Sequence, residues 1–380
     1  MPDQVSIVIP TKNAGPGFRD TLEAIAAQSV LPGEVVVVDS GSSDGTLELA
    51  GQFGARTVSV APESFNHGET RNFGLRQASG EVCILLVQDA VPAGPNWLEG
   101  LIAPFSDPRV AGVTGRQVPR PDADPLARWE VDYRNRFLGD QFLVRQVDPW
   151  EKFRTLSFEE RLRTASFDNV CSALRRSVWE RQPFRALVFA EDLDWGVRAL
   201  EAGYRLAYNP SAAVVHSHSR PALYNLRRQY VSGKTVPQFL QMPPADPGVH
   251  DDAEFFSLVG FLCGEVEAML GEQPGDWAQI QDFSRRATGN GSLWRSLRSA
   301  SGLSRPPASR KRNPMREHFY FLLDQLSGGE RPPALEGSLL VQALARSIGV
   351  FAASYHVWRQ SHGGLTAEMR RLDAALSREV

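Results

Sequence analysis

Asp39 and Asp89 each stand behind an apolar run, "EVVVV" (34–38) in one case and "EVCILLV" (81–87) followed by Gln88 in the other. Runs of this kind between helix-like segments mark buried parallel strands, which puts both carboxylates at the carboxyl edge of a sheet. Open α/β sheets bind ligands at that edge. The plainer use of each Asp is to cap the turn or helix that follows. Asp44, in "SSDGT", suits a turn and N-cap equally well. "VVHSH" directs His216 and His218 to one strand face, a geometry for metal ligation or phosphate contact; solvated strand-end histidines are the alternative. "AEDLDW" gathers Glu191, Asp192 and Asp194 at a helix start, where the positive helix end by itself favours acids. Leu193, Val197 and Leu200 mark the buried stripe of that helix. Asp192 precedes the stripe, where a general base can meet a substrate hydroxyl.

A second group is denser. "FNHGETRNFG" (65–74) sets a His, a Gly, a Thr, an Arg and an Asn side by side. A metal site, an anion cradle, a nucleic-acid contact and an ordinary polar helix start all compete for it. The cradle fits the context best. Gly68 lets the chain turn closely into a helix whose free N–H groups can face a pyrophosphate. Arg71 offers forked donors to phosphate, and Asn72 can orient a nucleotide or tie the loop. His67 either touches sugar or phosphate, or packs on Phe65. Two other motifs fail. "SGKT" (232–235) lacks the first Gly of a P-loop, with Arg228 in its place, and no strand precedes it. "NAGPGF" has Asp20 where a dinucleotide fingerprint needs its third Gly, and Pro16 interrupts it.

These side chains need a scaffold, and the first part of the chain supplies alternating strand and helix signals. Strands are expected at 5–10, 34–39, 55–60 and 81–87. Helices are expected near 18–29, near 45–53 and from the decapeptide to Ser79-Gly80. From about 119 to 165 the chain is rich in aromatics and arginines and reads as helical excursions over the sheet edge. "FDNVCSALRR" (167–176) returns to a strand, the acidic helix stops at Gly203, and "YRLAYNPSAAVVHSHS" brings the last strands. A Pro-rich linker (241–252) leads into a helix-like remainder with a basic break at Arg305, Arg310, Lys311, Arg312 and Arg316. The expected class is α/β, a mixed sheet with helices on both faces, plus a C-terminal helical extension.

Composition narrows the function. The 380 residues are 42% hydrophobic and 22% charged, as in a globular protein, and the net charge of −3 excludes broad capture of nucleic acid. Cys83, Cys171 and Cys263 are far apart and lie in apolar runs, so neither a disulfide framework nor a zinc site is indicated, and a reducing compartment fits. No signal peptide is read at the start, because a strand begins within a few residues. No uninterrupted apolar run reaches spanning length; Gln342, Arg346 and His356 break the closest one.

Taken in order, the motifs over roughly 4–235 resemble the inverting glycosyltransferases of family 2, which have the GT-A fold. "VSIVIPTKN", with Pro10, Thr11 and Asn13, resembles the strand and loop that hold the nucleobase. "VVVVDSGSSDGT", with Asp39, Ser40 and Asp44, is similar to the signature that contacts base or ribose. "ETRNFGLRQASGEVCILLVQDA" resembles the helix and strand leading to the metal-binding acid, and "AEDLDWGVRALEAGY" the helix carrying the catalytic base. The resemblance implies Asp192 as base, with Glu191 next in line. It implies donor contacts at His67, Gly68, Arg71, Asn72, Gln88 and Asn169, and a divalent metal, Mg²⁺ or Mn²⁺, on Asp89, His216 and His218. Asn169 serves equally well as a strand-start cap. "FNHGETRN", "QDA" and "HSH" look most like bacterial rhamnosyltransferase-type members. One departure stands out: Val87-Gln88-Asp89 replaces the usual D-x-D, leaving a single acid.

The implied reaction moves a sugar, L-rhamnose among the candidates, from a dTDP-, UDP- or GDP-sugar to a hydroxyl of a glycan or lipid-linked acceptor. The alternatives are a sugar nucleotidyltransferase, which needs a Gly-rich basic loop after the first strand where only Lys12 stands, and a non-catalytic binder on the same fold. The expected domains are a catalytic 1–240 and a mainly helical accessory 241–380. The expected place is the cytoplasm, with peripheral contact at the inner membrane face through the basic break; oligomerising helices are left open.

Overall fold

The computed structural model describes residues 4–287, 313–327 and 336–377. They divide into two compact units, the first formed by 1–122, 130–217 and 239–241, the second by 123–129, 218–238 and 242–380.

The first unit is built on a nine-stranded mixed sheet. Strands β1 (Val5–Thr11), β2 (Glu34–Asp39) and β3 (Arg56–Ser59) alternate with helices α1 (Phe18–Ala26), α2 (Thr46–Gln52) and α3 (His67–Gln77). β4 (Val82–Leu86) follows, and β1 lies between β2 and β4, parallel to both. The β-branched runs of these strands are fully buried at Ile7, Ile9, Val37 and Ile84, as expected of a central parallel sheet. Every βα loop of this half therefore opens at one edge, the edge that carries Asp39 and Asp89.

The rest of the sheet departs from a simple parallel reading. After β5 (Val91–Pro92) and α4 (Trp97–Ile102), β6 (Val110–Val118) pairs parallel to β9 (Arg205–Val215). β8 (Cys171–Arg175) lies between β4 and β6, antiparallel to each. The segment expected as helical excursions over the sheet edge contains α5 (Pro125–Leu138) and α6 (Phe158–Ala165). It also contains β7 (Leu143–Arg145), which pairs antiparallel with β9 and has too few residues to show an alternating pattern. The strand expected over 167–176 begins only at Cys171, because Asp168 and Asn169 are drawn into side-chain bonds at the sheet edge. A four-residue helix, α7 (Arg176–Trp179), follows β8, and α8 (Glu191–Glu201) carries the three acids.

Helices dominate the second unit. They are α9 (Ala222–Phe239), α10 (Asp252–Met269), α11 (Gly275–Ala287) and three more spanning Pro314–Ser327, Gly337–Ser361 and Ala367–Leu376. Gly337–Ser361 is one continuous helix, long and apolar enough by length and composition to cross a membrane, so the interrupting polar residues do not break it. Its apolar window is 67% buried. Two of those polar residues have partners inside the unit: His356 meets the Tyr230 hydroxyl at 2.8 Å, and the Arg346 guanidinium lies over the Trp129 ring. Of the basic break, Arg305, Arg310, Lys311 and Arg312 lie outside the described residues. Arg316 is held by both carboxylate oxygens of Glu265.

Candidate active site

The loops after β1 and β2 are stitched together by short polar side chains. Thr11 and Asp39 are register partners, and the Thr11 hydroxyl donates to Asp39 Oδ1 at 3.0 Å. Asp39 also accepts the Gly41 and Ser42 amides (2.9 and 2.8 Å) and the Ser42 hydroxyl. Burial alone would raise its pKa, but the Ser42, Thr11 and Gly41 donors outweigh burial and hold it below the usual range. Asp39 thus organises its own loop as a turn-capping Asp does. Asn13, at a left-handed φ of 45°, receives the Ser43 amide and gives its own amide to Ser42 Oγ. Asp44 accepts from the Thr46 hydroxyl and the Gly15 amide, which lowers its pKa, so the turn alternative is realised there too. Pro10 is half-buried in register with Val38, and Ser40 is buried with its hydroxyl unpartnered among the described residues.

At the end of β4, Gln88 does not face the Asp89 carboxylate. Its side chain closes a two-way bond with the Lys12 backbone, receiving the amide at 2.9 Å and reaching the carbonyl at 3.4 Å. An amide can do this and a carboxylate cannot, because only the amide both donates and accepts. Asp89 is left as the acid that follows β4. Its Oδ1 lies 3.7 Å from His216 Nε2, and its Oδ2 lies 4.0 Å from Arg120. The ligand atoms of Asp89, His216 and His218 all fall within 4.8 Å of one another. Two ligand atoms at about 2.1 Å from a shared ion sit roughly 3 Å apart when cis and about 4 Å when trans, and the Asp89–His216 spacing lies between the two, within reach of a shared divalent ion after a small side-chain adjustment. The opposite nitrogen of His216, Nδ1, lies 3.0 Å from Gln117 Oε1, the outer-shell bond usual for a ligating imidazole.

The acids of α8 are fixed from two directions. Asn169 gives its backbone N–H to Asp192 Oδ2 (3.2 Å) and its side-chain NH₂ to Glu191 Oε1 (3.1 Å). Arg71 reaches the same Glu191 oxygen at 3.2 Å, in a pair 6% and 5% exposed. Ala190, just before them, takes a left-handed φ of 59°, a strained conformation for Ala of the sort concentrated at functional sites. Asp192 is half-buried. Burial pushes its pKa up to about 6, Glu191 adds to the rise, and the Leu193 amide, Arg71 and the Asn169 amide oppose it. Asp194 is tied by Arg185 and Arg198.

The decapeptide is placed differently from the cradle expected of it. Asn66 caps α3, taking the Gly68 and Glu69 amides that a pyrophosphate would need. Asn72 is buried, donating to the Phe184 carbonyl and accepting from Trp179 Nε1 and the Phe184 amide. That leaves it a loop tie. A Cβ on Gly68 would stand 2.3 Å from the Arg185 carbonyl oxygen, so its small size serves close packing of the backbone. Arg71 faces Glu191, and exposed His67 packs edge-on against Phe65 at 5.0 Å. The whole segment is a platform for residues 184–190, the approach to α8. Asn169 likewise holds the two acids where a sugar contact was expected.

Sequence reasoning missed Asn66, Gln117, Arg134 and Asp168. Asn66 had a visible signal, a capping residue directly before a helix start. Asp168 takes the Val170 amide two residues on, but it also pairs with Arg134 and accepts from Gln117 Nε2, contacts between residues far apart in the chain.

The mixed α/β sheet, with its parallel half and acid-lined carboxyl edge, has the architecture of the GT-A fold. The chain belongs to glycosyltransferase family 2: a family model described as glycosyl transferase family 2 matches residues 6–181, and two rhamnosyltransferases are more than 30% identical to it over at least 70% of their own length. It is similar to the O-antigen chain rhamnosyltransferase RfbN of Salmonella typhimurium, 34% identical over 234 residues, covering 60% of this chain and 71% of the relative. It is also similar to the O-antigen chain rhamnosyltransferase WbaN of Salmonella anatum, 32% identical over 232 residues, covering 60% and 70%. The mannosyltransferase PcManGT of Pyrobaculum calidifontis, solved with GDP-Man and Mn²⁺, is 19% identical over 91% of this chain and 86% of that one. Its TM-score is 0.48, a likeness too distant to bear on the site. Family membership sets aside both the nucleotidyltransferase and the non-catalytic alternatives.

Proposed function

We infer that this glycosyltransferase moves a sugar, with L-rhamnose the first candidate, from a nucleotide-diphosphate donor to a hydroxyl of a glycan or lipid-linked acceptor, with inversion. The observation that carries the reading is Asp192: a half-buried carboxylate at the mouth of α8, held by the Asn169 amide, with a pKa pushed up to about 6. A base with a pKa just below neutral is ionised at working pH yet still takes a proton readily. Inversion requires one in-line displacement. Asp192 receives the acceptor hydroxyl proton as that oxygen attacks the anomeric carbon, and no covalent intermediate is needed. Glu191, already engaged by Arg71 and Asn169, positions the helix mouth.

The nucleotide would lie along the β1 and β2 loops, against Pro10, Thr11, Asn13, Asp39 and Ser40, with Gln88 holding the Lys12 backbone in place. Asp89, His216 and His218 would hold a divalent ion that neutralises the departing diphosphate. Two imidazoles beside one carboxylate favour Mn²⁺ over Mg²⁺, which prefers oxygen ligands. The relatives' names support rhamnose and therefore dTDP-rhamnose as the donor to try first, with UDP- and GDP-sugars beside it. The proposed place of the reaction is the cytoplasm, at the inner membrane face if the acceptor is lipid-linked. Residues 1–240 would then act as the catalytic part and 241–380 as the accessory part. The test is a panel of nucleotide sugars with Mn²⁺ or Mg²⁺, read by thermal shift and by release of nucleoside diphosphate. A panel in which no nucleotide sugar is bound or turned over would sink the reading.

A further inference from the structure

We propose that Gln117, oriented by Asp168, is the residue that sets His216 as a metal ligand by fixing its tautomer. The inference rests on the metal reading above and adds to it a residue that acts through His216.

The argument follows hydrogen-bond valence. Asp168 is a carboxylate, paired with the Arg134 guanidinium, and it takes the Val170 amide on Oδ1 at 3.1 Å. It can only accept. The end of the Gln117 amide that faces its Oδ2, at 3.3 Å, is therefore the NH₂ end. The carbonyl end of Gln117 then faces His216, where Oε1 lies 3.0 Å from Nδ1. A carbonyl oxygen also only accepts, so Nδ1 carries the proton. In the neutral imidazole this leaves the lone pair on Nε2, the nitrogen that faces Asp89 Oδ1 at 3.7 Å.

The backbone supports the same alignment. Gln117 is nearly buried on β6, where it pairs with Val214 of β9, and the His216 amide donates to the Val118 carbonyl at 2.9 Å. Asn135 Nδ2 holds the Gln117 carbonyl at 2.8 Å. His216 Nδ1–H thus donates to Gln117 and Gln117 to Asp168, which Arg134 meets from its other side, while Nε2 and Asp89 Oδ1 are left as two acceptors facing one another. Asp168 directly precedes Asn169, which bonds to both acids of α8. One turn of backbone therefore supports both the imidazole and the base.

The experiment uses the full chain in two readouts. In metal-free protein, long-range ¹H–¹⁵N NMR of the imidazoles should show His216 in the Nδ1–H form, and Gln117→Leu should shift it towards Nε2–H. In a Mn²⁺ titration followed by the EPR signal of the free ion, Gln117→Leu should weaken binding about 10- to 100-fold, the usual worth of an outer-shell partner. Asp168→Asn should act in the same direction, because it lets the Gln117 amide turn over. The pair Gln117→Glu with Asp168→Asn, which restores an acceptor for Nδ1–H and a donor behind it, should recover affinity relative to Gln117→Glu alone. Melting temperatures measured alongside separate lost folding from lost positioning, and if Gln117→Leu does not fold, the Asp168→Asn arm decides. Wild-type protein that binds no Mn²⁺ overturns the metal reading and this inference together. Wild-type binding with unchanged affinity and unchanged tautomer in the folded variants overturns the inference alone.

Discussion

Arg71 and Glu191, 120 residues apart, form a buried ion pair of 3.2 Å that joins the first turns of α3 to the first residue of α8. Arg71 also holds the His67 carbonyl at 3.0 Å, so it ties its own helix to α8. Breaking such a pair leaves the remaining charge buried, which typically costs about 3–5 kcal/mol. Arg71→Met should therefore lower the melting temperature sharply. Arg71→Lys should keep the charge but lose one of the two contacts, reducing kcat while donor affinity stays near wild type. Donor affinity that falls in Arg71→Lys with kcat intact would restore the direct phosphate contact first expected of this residue.

Gly68→Ala probes the same platform sterically. The added methyl would stand 2.3 Å from the Arg185 carbonyl oxygen and 3.3 Å from Phe184 Cβ, so the 184–190 loop must move. The expected outcome is a lower kcat with little change in donor KM, because the 184–190 loop leads into the start of α8. Steady-state kinetics over donor concentration decide it. An unchanged kcat would mean that the loop yields without displacing Asp192.

Asp39 and Asp89 were placed at the carboxyl edge because an unbroken β-branched run fixes both strand and direction, and the order of such runs fixed the fold. The decapeptide was different. Its residue types suited phosphate, but Asn66, Asn72 and Arg71 are satisfied by Leu187, Phe184, Trp179 and Glu191, all more than a hundred residues away. No local pattern carries that information. β6 was unread for a related reason: its glycines make room for Phe167 and the Ala212 carbonyl, which dilutes the apolar signal while serving tight packing.

Asp192→Asn should reduce kcat about 10²- to 10⁴-fold and leave donor affinity nearly intact, since it removes a base without changing shape. In wild type, kcat should rise with pH through about 6, as the carboxyl loses its proton, and then level. The variant should lack that limb. Near-normal turnover in Asp192→Asn would move the base elsewhere, to Glu191 first.

The same shift makes a stability prediction of opposite sign to the activity. The folded carboxyl binds its proton more tightly than the unfolded one, about 6 against 3.8. Its favourable contribution is complete below the unfolded value and is lost as pH rises through the folded one. Asp192→Asn, which never ionises, should melt above wild type at about pH 8 and converge with it towards about pH 4. A variant less stable than wild type at the higher pH would show that ionised Asp192 is a net stabiliser through Asn169 and Leu193.

Asp89→Ala should weaken donor binding mainly when Mn²⁺ is present, because Asp89 supplies the one carboxylate of the Asp89-His216-His218 group. Isothermal titration of wild type and variant with a bound donor, with and without Mn²⁺, measures the difference. Turnover of wild type that is indifferent to EDTA would reject the metal assignment and leave Arg120, 4.0 Å from Asp89, to be tested for charge neutralisation.

Removing everything after Gln241 tests the accessory role given to the C-terminal helices. Within the second unit, α9 buries Leu226, Tyr230 and Val231, and the Tyr230 hydroxyl is shared by His356 and Asp373. Lys234 also pairs with Asp373. The packing is close: a Cβ on Gly349 would stand 2.5 Å from the Leu226 carbonyl. The cut strips α9 of all these partners. The truncated chain should therefore show increased binding of an apolar dye and lower soluble yield. Replacing Leu226 and Val231 with polar residues in the truncated chain should recover a folded protein that still binds donor. That protein should lose acceptor use or flotation with anionic vesicles, as expected if the missing helices bring the enzyme to its acceptor. If it glycosylates the natural acceptor and floats as the full chain does, the accessory role is wrong and the C-terminal helices serve only to cover α9.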